Sequence, residues 1–138
     1  MSLVIDASVA VKWVLSEPES ELAEALFDEG KLIAPGLWLT ESANVLWKYY
    51  RRGRLSADEV FERVRALRVL PVETVDDHFL LEIAAGLAVS LDHSIYDCLY
   101  LAAATTQNAI LVSADLAFVA IVRKSPFASF IRPLAGLP

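Results

Sequence analysis

Short, unbroken apolar runs alternate along this chain with longer stretches of helical period. Leu3-Val4-Ile5, Leu32-Ile33-Ala34 and Ile110-Leu111-Val112 read as buried strands of a parallel sheet, whose two covered faces call for continuous rather than alternating apolar residues. Val72-Glu73-Thr74 reads as another strand, and a weak last one falls around Phe130–Arg132. Between them the pattern predicts a helix from about Ala7 to Leu15, and a second opened by Ser16-Glu17-Pro18-Glu19 at capping-box spacing and closed by Gly30. A helix over about 37–52 stops at Gly53, and Ser56-Ala57-Asp58-Glu59 is a second capping box opening a helix to about Leu70. Further helices are predicted over about 77–89, 94–106 and 114–122. Strands and helices in this order predict an α/β chain, a three-layer α/β/α sandwich around a short, mostly parallel central sheet. No repeat, low-complexity tract or linker interrupts residues 1–138, so one domain is expected.

Composition changes this picture only at the surface. Hydrophobic residues make up 56% of the chain, enough for a thick core with apolar surface left for another subunit. The run from Cys98 to Ala114 is too short to span a bilayer and carries Thr105-Thr106-Gln107-Asn108, so no membrane is expected. With Asp6 inside the first apolar segment and no basic lead before it, the start does not read as a signal peptide. The single cysteine, Cys98, allows no intrachain disulfide and fits a reducing, cytoplasmic location; beside Asp97 it reads as a small buried hydrophobe.

The net charge of −6 is unevenly spread. Residues 44–68 carry Lys48, Arg51, Arg52, Arg54, Arg63, Arg65 and Arg68, whereas residues 69–122 contain no Lys or Arg. A local basic strip binds phosphate whatever the net charge. Lys48, Arg51, Arg52 and Arg54 therefore have two readings, RNA-phosphate contacts or a solvated helix end with cations near the negative pole of its dipole. The three tryptophans, with Tyr49, Tyr50, Tyr96 and Tyr100, read first as core or subunit contacts and second as base-stacking groups. His78 and His93 read as surface or turn residues, His93 standing near the Asp97 helix.

Four acids give the chain its candidate chemistry. Asp6 and Asp115 follow strands and precede helices, Glu41 lies early in its helix, and Asp97 interrupts an otherwise apolar one. Each has a structural explanation as a helix cap, a capping-box partner or a first-turn charge. Together they place carboxylates at the carboxyl ends of strands, where open α/β sheets bind ligands. Crowded carboxylates repel, and a shared cation relieves the repulsion. An all-oxygen set suits Mg²⁺ or Mn²⁺, while one Cys and two His offer no zinc spacing.

Four motifs stand in register along the chain: Val4-Ile5-Asp6-Ala7-Ser8; Glu41-Ser42-Ala43-Asn44-Val45-Leu46; Tyr96-Asp97-Cys98-Leu99-Tyr100-Leu101-Ala102; and Leu111-Val112-Ser113-Ala114-Asp115-Leu116-Ala117-Phe118. With them the chain resembles the PIN-domain ribonucleases of the VapC type, toxins of bacterial toxin–antitoxin pairs. The resemblance implies a PIN-like fold, a metal-dependent endoribonuclease acting on RNA, and Asp6, Glu41, Asp97 and Asp115 as catalytic, metal-binding acids. It further implies Ser8, Asn44 and Ser113 as secondary polar positions and a VapB-like antitoxin as partner. The homodimer is expected instead from the apolar runs Phe79-Leu80-Leu81 and Leu99-Tyr100-Leu101-Ala102, in a segment without basic residues, together with the Trp47–Tyr50 face. Some relatives carry a further acid just after the last Asp; Ala117 and Phe118 stand there in this chain. Two alternatives are a non-catalytic PIN-fold binding module and a Mg-dependent phosphatase with Asp6 as nucleophile. The second is weakened by Ser8, which stands where such phosphatases need another acid.

Overall fold

A computed structural model describes residues 1–136. Its strands are β1 (Ser2–Ile5), β2 (Lys31–Pro35), β3 (Val72–Val75), β4 (Ile110–Ser113) and β5 (Ile131–Pro133). Its helices are α1 (Ala7–Ala10), α2 (Ser20–Glu29), α3 (Trp38–Arg51), α4 (Ala57–Arg68), α5 (Asp77–Leu91), α6 (Ile95–Thr106) and α7 (Leu116–Arg123). The strands form one sheet in the order β3-β2-β1-β4-β5, every pairing parallel. From β1 the chain steps outward to β2 and β3, then crosses back to β4 and β5. Right-handed crossovers then put the helices before β3 on one face and those after it on the other. The topological switch lies between β1 and β4, and ligand crevices in such sheets open there, beyond the carboxyl ends of the strands.

The central strands are dry because both faces are covered. Leu3, Val4, Ile5, Leu111 and Val112 are fully buried. Helix α6 packs against β1, β2 and β4, and every residue from Cys98 to Ala104 is buried. An apolar surface all round is what a helix inside the core requires. Each large aliphatic side chain so buried contributes roughly 1.5–3 kcal/mol.

Two predicted helix boundaries differ. The first helix does not run to Leu15: α1 ends at Ala10 and tightens into a 3₁₀ turn over Val11–Trp13. Trp13 there lies on Phe27 with ring centroids 4.6 Å apart, and its indole Nε1 donates to the Ala23 carbonyl, so the aromatic pulls the chain toward α2. The capping box at Ser16 does not form. The Ser20 hydroxyl accepts from the Glu17 N–H and donates to the Leu15 carbonyl, making a turn before α2 starts at Ser20. The Ser56–Glu59 capping box forms as expected. Gly30 is needed for space: a Cβ there would meet the Met1 carbonyl oxygen at 2.5 Å, where β2 starts beside β1. Gly53, at φ 73°, takes the left-handed turn that ends α3.

Of the apolar runs expected to need a partner subunit, Leu99–Ala102 is covered within the chain, because α6 is the central helix. Phe79, Leu81, Ile83 and Val89 on α5 and Trp47 and Tyr50 on α3 stay exposed. No single helix among the described residues is long and apolar enough to cross a membrane.

Candidate active site

The switch point is closed by Asp6 and two serines. Asp6 follows β1 and caps α1, its Oδ1 accepting from the Val9 N–H at 3.2 Å. The Ser8 hydroxyl donates to Oδ1 and the Ser113 hydroxyl, from the end of β4, to Oδ2, both at 2.5 Å. Each serine also accepts a backbone N–H, Ser8 from Ala114 and Ser113 from Asp115. The two hydroxyls thus tie the end of β1 to the end of β4 through a single carboxylate. Burial nevertheless pushes the Asp6 carboxyl up to about 6, against the hydrogen bonds that favour its charge, and Asp97 adds repulsion.

Glu41 and Asp97 approach from helices. Glu41 enters on the first turns of α3 and is partly buried. Its Oε1 accepts from the hydroxyl of Tyr100, a buried residue of α6, at 2.5 Å. Glu41 is held above the usual carboxylate range by burial, with repulsion from Asp97 and Asp77 added and the Tyr100 bond opposing. Asp97 does not act as the capping partner of Ser94, whose side chain makes no cap bond. Its Oδ2 instead meets Nε2 of His93 at 2.6 Å, and the His93 ring lies 4.7 Å, centroid to centroid, from Phe118 of α7. Asp6, Glu41 and Asp97 therefore share one electrostatic neighbourhood drawn from β1, α3 and α6.

Asp115 sits apart. It is exposed and caps α7, its Oδ1 accepting from the Ala117 and Phe118 N–H groups. Its backbone N–H joins the network through Ser113. One carboxylate oxygen on each of Glu41, Asp97 and Asp115 accepts no hydrogen bond from the described residues. Even so, among the described residues no three His, Cys, Asp or Glu side chains are gathered closely enough to hold a metal ion as they stand.

Asn44 and Lys48, exposed on α3, line a groove with Glu41 and Tyr96. Lys48 also borders a shallow depression with Trp47, Arg51 and Arg52, where the Arg51 guanidinium lies over the Trp47 ring at 5.2 Å. Arg54 leaves this strip: past Gly53 it turns onto the Tyr49 ring, at 5.6 Å, and into a separate depression with Glu17 and Arg63. His78 is exposed, as expected, whereas His93 is committed to Asp97. Cys98 is buried, and its thiol is pushed up to about 11 by burial, so it is inert as a nucleophile.

The sequence reading of Tyr100, as a core, subunit or base-stacking residue, does not include its contact with Glu41, and Asp77 is not singled out at all. Tyr100 stands three residues after Asp97 in α6, so both share a helix face, a signal that was available. Asp77 accepts from the Leu37 N–H at 3.2 Å across 40 positions, which no local pattern reveals.

A sequence profile of the PIN domain matches residues 3–124. The chain belongs to the PIN-domain family. It is similar to ribonuclease VapC3 of Pyrobaculum aerophilum, with 35% identity over 124 residues covering 83% of this chain and 90% of that protein. Among solved structures, this PIN domain is similar to PAE2754 of the same organism, at a TM-score of 0.74 and 19% identity, over 97% of this chain and 90% of that one. It also resembles a chain of a toxin–antitoxin complex from Klebsiella pneumoniae, at a TM-score of 0.66 and 13% identity, over 98% and 99% of the two chains. These two structures share the PIN fold.

Proposed function

We propose that this PIN-domain protein is an endoribonuclease of the VapC kind, the toxin of a toxin–antitoxin pair. In this reading it hydrolyses RNA phosphodiesters with Mg²⁺ or Mn²⁺ held by Asp6, Glu41, Asp97 and Asp115. The observation that carries it is the set of acids at the β1–β4 switch point, where Asp6 and Glu41 are both pushed upward and Asp97 repels each of them. A structural cluster would be expected to neutralise such charges with arginine or lysine, and none forms a salt bridge with these four among the described residues.

The donor set fits a hard divalent cation: all oxygen, with a free oxygen on each of three acids. Among the described residues the acids do not converge into a finished cage, so water and substrate phosphate would have to complete the ion's shell. When bound, such an ion polarises the phosphate, lowers the pKa of the attacking water and stabilises the leaving oxygen. Ser8 and Ser113 fix the orientation of Asp6. Lys48, Arg51 and Arg52 supply cations for flanking phosphates. The partner is a small VapB-like antitoxin, whose arginine or lysine would neutralise the acids. The exposed α5 residues Phe79, Leu81, Ile83 and Val89 are the face offered to a second copy of the chain.

The experiment is cleavage of mixed RNA by the purified protein with Mn²⁺ or Mg²⁺ and with EDTA. Metal-dependent internal cuts are expected. RNA left intact under both conditions, or cut equally in EDTA, would overturn the reading.

A further inference from the structure

Glu41 faces two compartments. On one side are the other acids. On the other is a groove of about 450 Å³ lined by Leu37, Glu41, Asn44, Val45, Lys48 and Tyr96. Because the groove shares Glu41 with the acid cluster, and Tyr96 immediately precedes Asp97, a polynucleotide with one phosphate at the acids has a neighbouring nucleotide at the groove.

The lining supplies what a nucleobase requires. Tyr96 is 64% exposed at the start of α6, unlike Trp13, Trp38 and Tyr100, which the fold uses internally. An exposed ring beside an apolar floor is a stacking platform for any base. Asn44 carries both a donor pair and an acceptor on one exposed amide, the combination that reads a base edge. Lys48 lies one helical turn further along the same face of α3, and among the described residues it enters no salt bridge. It is free to meet a flanking phosphate.

We propose that this groove is the subsite for the nucleotide next to the scissile phosphate. Tyr96 stacks on its base, Asn44 reads the base edge and Lys48 holds the adjoining phosphate. This rests on the ribonuclease reading above and assigns it a source of sequence preference.

The test has a binding arm and a cleavage arm. Binding is followed by fluorescence anisotropy of short labelled single-stranded RNAs in EDTA, with wild type, Tyr96→Ala, Tyr96→Phe and Asn44→Ala, each checked for an unchanged melting temperature. Tyr96→Ala is expected to weaken binding about tenfold or more, and Tyr96→Phe to restore most of it, since stacking needs the ring and not the hydroxyl. In the cleavage arm, product ends from a randomised RNA are sequenced. Asn44→Ala is expected to flatten the base preference at one position beside the cut, and Tyr96→Ala to raise KM more than it lowers kcat. Wild-type binding and cut sites in Tyr96→Ala, or equal loss at every base in Asn44→Ala, would overturn the subsite. Normal cleavage by Tyr96→Ala together with escape from antitoxin inhibition would also overturn it, by making the groove a protein dock. If the wild type cuts no RNA, the ribonuclease reading fails, and the binding arm still decides the groove.

Discussion

The two strand-end acids and the two helix acids are held in different ways. Asp6 and Asp115 accept backbone N–H groups at the starts of α1 and α7, so each has a local structural task whatever the protein does. Glu41 and Asp97 accept none; each has one oxygen held by a side chain, the Tyr100 hydroxyl or the His93 ring. A cap earns its place through helix stability of about 1 kcal/mol. A partly buried carboxylate with no cap and no cationic Lys or Arg partner is a cost to the fold. Glu41, raised by burial with no cap to account for it, therefore points to chemistry alongside Asp6, although the strand-end pair is the easier to see.

The largest expected effect divides capping from metal binding. Asparagine caps a helix about as well as aspartate and has nearly the same volume. Asp6→Asn and Asp115→Asn should therefore fold normally, shown by circular dichroism, while RNA cleavage is abolished. An Asp115→Asn protein that cuts at the wild-type rate would reduce Asp115 to a cap and leave a three-acid site. Wild-type turnover by Asp6→Asn would remove the proposed centre.

Next comes the Tyr100 hydroxyl. Tyr100→Phe keeps the buried ring and deletes only the donor to Glu41 Oε1. Groups that orient metal ligands are typically worth 10–100-fold in metal affinity or activity, roughly the loss expected in a Mn²⁺ titration of cleavage. An unchanged half-saturating Mn²⁺ concentration would show that Glu41 needs no such support.

The metal-free protein should also respond to pH through Asp6. Its carboxyl is raised from 3.8 to about 6 in the folded state, so between these values the folded protein holds a proton that the unfolded chain has released. The stabilisation is full below about pH 4 and is lost as pH rises through about 6, a contribution of about 3 kcal/mol. In EDTA, denaturant melts of wild type should lose stability between pH 4.5 and 7 relative to Asp6→Asn. Parallel profiles for the two proteins would contradict a buried carboxylate whose three hydrogen bonds fall short of offsetting its burial.

Most of the sheet was legible because buried parallel strands leave unbroken apolar triplets, and Asp6 and Asp115 were legible because they follow two of them. Glu41 and Asn44 were legible from helical spacing and from the motif that contains them. What escaped depends on contacts that the local pattern does not encode. The Trp13–Phe27 packing shortens α1, the Ser20 turn replaces a capping box, and Tyr100 reads as core until its hydroxyl is seen to reach across 59 positions to Glu41. His93 escaped because a histidine four residues before an acid pairs with it only when helix entry allows, and here the left-handed Asp92 turns it inward.

The smallest expected effect tests whether the helix pair takes part in binding before any RNA arrives. A cation that binds only the folded state raises stability by mass action, by about 1.4 kcal/mol at ten times its dissociation constant. For a chain of this size that is a rise of a few degrees in melting temperature. Wild type should show it with Mn²⁺ against EDTA, and Asp97→Asn should show less, because the amide retains the contact with His93 but gives up a charged oxygen. Asp115→Asn should fall between the two, since Asp115 stands apart from the other three acids. Identical melting curves with Mn²⁺ and with EDTA in the wild type would mean that the acids bind no cation without substrate. The raised carboxyls of Asp6 and Glu41 would then be relieved only in the RNA complex.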